Sequence, residues 1–119
     1  MTLNKTFATF LLFVCLLGLV GAVTFSDRVP AGDHSNNASQ KIAVTITDPS
    51  GVNKAKIDFE INGFNFALND PRMSYNEATG RLEYTPVRPW NEFDEVHVFV
   101  SAENTLGERG ETQFNFTVN

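Results

Sequence analysis

From residue 41 onward, apolar and polar positions take turns with a period of two. The densest run is 95–102, Glu-Val-His-Val-Phe-Val-Ser-Ala. In an extended chain Val96, Val98, Val100 and Ala102 fall on one side, and His97, Phe99 and Ser101 on the other. Its β-branched density predicts a central strand. The cleanest alternation is 55–62: Ile57, Phe59 and Ile61 face in, while Lys56, Asp58, Glu60 and Asn62 face out, which predicts a sheet with one wet face. Five further runs follow the same rule, carried by Ile42/Val44/Ile46, Phe64/Phe66/Leu68, Met73/Tyr75, Leu82/Tyr84 and Phe114/Phe116/Val118. Turn chemistry separates them. Asp48-Pro49-Ser50-Gly51 presets one φ and frees another. Asn62-Gly63 is the preferred pair for a type I′ hairpin. Pro86 and Pro89 end a strand because proline cannot donate to a ladder. Seven short runs of this kind predict an all-β fold, an antiparallel β-sandwich over residues 41–119.

The first forty residues read differently. Lys5 precedes an uncharged, largely apolar run from Phe7 to Phe25. A basic start, an apolar stretch and small residues at Val20-Gly21-Ala22 predict that residues 1–22 are a secretory signal peptide. The alternative is a retained membrane anchor, since the run is long enough to cross a bilayer as a helix. Either reading places the remainder outside the cytoplasm, with the membrane touched only through residues 7–25. Residues 23–40 are polar, contain Pro30 and Gly32, and show no period, so they are expected to be a flexible linker. His34 stands in it as a lone histidine, expected to be a solvated residue and not a metal site.

Charge and composition narrow the function. The formal net charge is −5, against the basic surface that nucleic acid would require. Cys15 is the one cysteine, so no disulfide forms within the chain and no thiolate metal site is expected. Asp48, Asp70, Asp94, Glu95 and Glu103 are the candidate calcium ligands, and such ligands must converge on one point. With the first and last connections expected at opposite ends, they read as solvated turn residues. No nucleophile elbow, zincin motif or phosphate loop is present, and His97 has no sequence-evident partner for acid–base work. A non-enzymatic protein without a cofactor is expected. His97, Phe99 and Trp90 are the candidate partner contacts, although the first expectation is that a side loop carrying Trp90 covers the outer face of His97 and Phe99. Asn37-Ala38-Ser39 and Asn115-Phe116-Thr117 are N-glycosylation acceptor patterns. Unpaired sheet edges would allow a homo-oligomer.

Several stretches, Thr47-Asp-Pro-Ser-Gly-Val52, Tyr75-Asn-Glu-Ala-Thr-Gly-Arg-Leu-Glu-Tyr-Thr-Pro86, Val96-His-Val-Phe-Val-Ser-Ala-Glu-Asn104 and Gln113-Phe-Asn-Phe-Thr-Val118, together resemble the immunoglobulin-like, cadherin-like repeats of prokaryotic surface and secreted proteins. The resemblance covers about residues 41–119. It implies an immunoglobulin-like sandwich acting by surface contact, in adhesion or in cell-envelope or appendage assembly, with a surface protein or polysaccharide as partner. Glu103 and Leu106-Gly107-Glu108 depart from the Asp and Gly-Asn often found there. A second resemblance implies a different role. Arg88-Pro89-Trp90 is similar to a loop of chagasin-type cysteine-peptidase inhibitors, although the Asn76-to-Gly80 loop lies too near it in sequence to match theirs.

Overall fold

A computed structural model describes residues 23–119, so the expected signal or anchor over residues 1–22 lies outside the described residues. Nine strands form two sheets packed face to face: β1 (Thr24–Val29), β2 (His34–Ser35), β3 (Ile42–Thr47), β4 (Val52–Ile61), β5 (Phe64–Asn65), β6 (Met73–Asn76), β7 (Arg81–Tyr84), β8 (Glu95–Asn104) and β9 (Arg109–Val118). The four-stranded sheet runs β1-β3-β7-β6 and the five-stranded sheet β2-β9-β8-β4-β5. This is an immunoglobulin-like arrangement, with the first strand divided between the two sheets. The seven expected runs correspond to β3 through β9, and the run 95–102 lies in β8, the middle strand of five.

The period of two explains the core. Ile42, Val44, Ile46, Leu82 and Tyr84 project from one sheet onto Phe59, Val96, Val98, Val100, Phe114 and Phe116 of the other, and all are buried. Each large apolar side chain so enclosed is worth roughly 1.5–3 kcal/mol in transfer free energy. Aromatic rings link the layers. Phe59 stacks against Tyr84 at 6.0 Å, and Phe66 meets Tyr84 edge-on at 5.1 Å. Asn62 and Gly63 have φ of 50° and 83°, as a type I′ turn requires. The return strand it opens is shorter than expected. Phe64 and Asn65 form the strand pairing with β4, the Phe66 N–H still donates to the Phe59 carbonyl at 2.9 Å, and Phe66 and Leu68 pack against the core as partly buried loop residues.

Residues 23–40 are not a free linker. β1 pairs antiparallel with β3 from Thr24↔Thr47 to Val29↔Ala43, and β2 pairs in parallel with the end of β9. The pattern concealed this because the β1 ladder shifts register between Ser26 and Val29, around Asp27 at φ 51°. A bulge of this kind breaks alternation. Its inward anchors, Val23 and Phe25, lie too close to the apolar leader to stand out as a separate signal.

Candidate functional site

Alternation along β4, β8 and β9 gives the five-stranded sheet a polar outer face. Register then decides which residues meet on it. Phe99 lies opposite Glu60 on β4 and Gln113 on β9; His97 lies opposite Asn115; Ser101 lies between Asp58 and Glu111. Phe99 is half-buried, while His97, Gln113 and Asn115 are exposed. A single aromatic ring therefore sits in a surround of amides, carboxylates and one imidazole. Beside it, Lys56, Asp58, Ser101, Glu103 and Arg109 line a depression of about 260 Å³. The Glu60 carboxyl is held above the usual carboxylate range, first by a hydrogen bond shared with Asp58, then by desolvation and by the Asp58 charge. Asp58 in turn accepts a hydrogen bond from the Asn65 amide. At one corner the Asn62 N–H donates to the His97 carbonyl at 2.9 Å, and the His97 N–H donates to Asn62 Oδ1 at 2.8 Å.

The expected cover over Phe99 does not come from the Trp90 loop. Trp90 turns the other way and packs against Tyr84 and Phe116, each at 6.3 Å between ring centres. Its Nε1–H donates to the Gln40 carbonyl at 2.9 Å, and its backbone N–H to the Ala38 carbonyl at 2.7 Å. A partly buried indole packed on the core is served by such a partner, so Trp90 closes one end of the core. An inhibitory loop would have to present this ring outward, and Arg88-Pro89-Trp90 does not. His97 and Phe99 thus share one face, and Trp90 belongs elsewhere. Of the two glycosylation patterns, Asn115 is exposed on β9 and Asn37 is exposed in the loop after β2, where its Oδ1 accepts the Ser39 N–H.

The candidate calcium carboxylates are arranged otherwise than expected. β4 and β8 are antiparallel neighbours, with Val52 opposite Asn104, so the first and last connections share one end of the sandwich. Asn104 joins them, its Nδ2 donating to Asp48 Oδ2 at 3.2 Å and to Glu108 Oε1 at 3.0 Å. Its Oδ1 accepts the N–H groups of Leu106 and Glu108. Asp70 is held bidentately by Arg72, and Asp94 accepts the Asn91 N–H. Among the described residues no three His, Cys, Asp or Glu side chains converge as a metal site would need. A larger opening, missed in the sequence because it depends on two distant segments, lies between the sheets. Lys54, Ala55, Ile57, Ala67, Leu68, Asn69, Tyr75 and Glu77 line a cleft of about 610 Å³, bridged by the Lys54–Glu77 ion pair at 3.2 Å.

The fold defines the class: an immunoglobulin-like β-sandwich with a polar outer face on its five-stranded sheet. No family model matches the chain, and no curated protein matches it. Solved structures do. CopC from Methylosinus trichosporium OB3b is similar with a TM-score of 0.58 and 16% identity, over 82% of this chain and 94% of that one. Dimeric latent PorU from Porphyromonas gingivalis is similar with a TM-score of 0.54 and 14% identity; the match takes in 82% of this chain but 10% of PorU. At such identities the likeness is one of fold.

Proposed function

We propose that this chain is an exported, non-enzymatic module that works by surface contact, in adhesion or in assembly of the cell envelope or an appendage. The outer face of β4, β8 and β9 is the contact surface, with Phe99 and His97 at its centre. The observation that carries this reading is the half-exposed Phe99 ring set among hydrogen-bonding side chains on the five-stranded sheet. An aromatic body ringed by polar groups suits a surface protein or a polysaccharide, because the ring supplies contact area and the amides supply direction. Export rests on the basic start and apolar run of residues 1–22. The acidic balance supports a partner other than nucleic acid or anionic lipid. The resemblance to prokaryotic surface repeats points the same way, by analogy of fold.

The test is retention of fractionated cell-surface protein and polysaccharide on the immobilised chain, compared with Phe99→Ser and His97→Ala. The reading expects both variants to keep the wild-type melting temperature and Phe99→Ser to lose most of the retention. Retention unchanged in both variants would remove the face from consideration.

A further inference from the structure

We infer that Asn62 is a site of spontaneous covalent modification, a deamidation that places a new negative charge at the His97 corner of the face. The sequence holds one Asn-Gly pair, and it stands at the tip of the β4–β5 hairpin. Three features of the tip favour the reaction there. The Asn62 side-chain oxygen accepts the His97 N–H at 2.8 Å, which draws electron density from Cγ and makes it a better electrophile. The backbone nitrogen of Gly63 is the nucleophile, and its N–H makes no hydrogen bond among those of the described residues. A Cβ at Gly63 would meet nothing within 4 Å beyond its chain neighbours, so the tip is open on that side. Both residues are exposed to water.

The chemistry balances with water alone. The Gly63 nitrogen attacks Asn62 Cγ and forms a five-membered imide; the Cγ–Nδ2 bond breaks, and ammonia departs with the proton that Gly63 gave up. Water then opens the ring. Opening at Cγ leaves aspartate, and opening at the former main-chain carbonyl leaves isoaspartate, with one extra carbon in the backbone. Aspartate keeps an acceptor for the His97 N–H and adds a charge. Isoaspartate also displaces the Asn62 N–H that holds the His97 carbonyl at 2.9 Å. In either form the edge of the candidate face changes without any enzyme acting on it.

The full chain is aged in mildly alkaline buffer, folded and in parallel in urea, and followed by isoelectric focusing and peptide mass mapping. Asn62→Gln, which would need a slower six-membered ring, serves as the control. The expected result is a more acidic species whose gain of one mass unit maps to Asn62, at least as fast in the folded chain as in urea, and absent from Asn62→Gln. An acidic species that maps to another asparagine would overturn the inference. So would an Asn62 that stays intact in the folded chain after the urea sample has converted, because the hairpin would then protect the residue it is argued to expose.

Discussion

The two ends of the sandwich are built on opposite terms. At one end the loops 48–51, 77–80 and 105–108 are tied down by side chains. Asp48 takes the N–H and hydroxyl of Ser50, Asn76 takes the N–H groups of Ala78 and Thr79, and Asn104 reaches both of its neighbours. Three glycines there, Gly51, Gly80 and Gly107, have φ of 96°, 76° and 83°. At the other end Phe64, Val87 and Phe93 stand exposed at 74%, 75% and 73%, where the first end exposes Leu106 at 70%. The first end is dictated by what the backbone needs. The second is held by Trp90 beneath it and by the Asp70–Arg72, Asp94–Asn91 and Asn62–His97 contacts, yet it leaves three large apolar tips exposed to serve something other than folding.

The largest effect that comparison predicts is at Gly80. Its carbonyl accepts the Ile46 N–H at 2.8 Å, and a Cβ added to it would overlap the Ile46 carbonyl oxygen. Gly80→Ala combines that clash with a left-handed φ and should cost about 3 kcal/mol or more, read as a fall in the urea midpoint. Next is Asn104→Leu. It strands Asp48, Glu108 and two N–H groups near the surface and should cost roughly 2 kcal/mol. A loss under half a kilocalorie in either variant would erase the distinction between the ends.

A third measurement sharpens it by pH. Hydrogen bonds from the Arg72 guanidinium, then from the Arg72 N–H, lower the Asp70 carboxyl from 3.8 to about 2. A lowered folded pKa adds stability that is complete above the ordinary value and disappears as pH falls through 4 toward 2. Asp70→Asn should therefore flatten part of the acid limb of the stability curve and leave the neutral-to-alkaline limb in shape. An unchanged acid limb would show that the Asp70–Arg72 pair does not hold the loop before β6. Smallest of all should be Phe64→Ser, Val87→Ser and Phe93→Ser, each within about 0.5 kcal/mol of wild type in thermal unfolding, since surface substitutions without buried partners rarely exceed that.

Alternation made β3 to β9 readable because each strand carries its own record of which side is wet. The Asn62-Gly63 turn and the outward direction of His97 and Phe99 came from the same local record. What was not readable depends on pairing. β1 hid behind a bulge at Asp27, and the meeting of Asp48 with Asn104 requires knowing that β4 and β8 are neighbours. The direction of Trp90 depends on carbonyls at Ala38 and Gln40, far away in sequence. Glu60 and Gln113 became neighbours of Phe99 only through register, which no single strand records.

Val23 packs beside Gly110, so the first described residue lies at the end where the loops are fastened. β9 carries the chain to the other end, a span of about 33 Å for its 10 residues. Any body holding this protein by its first residues would grip the stiff shoulder and leave the greasy crown, Phe64, Val87 and Phe93, pointing at whatever approaches from outside.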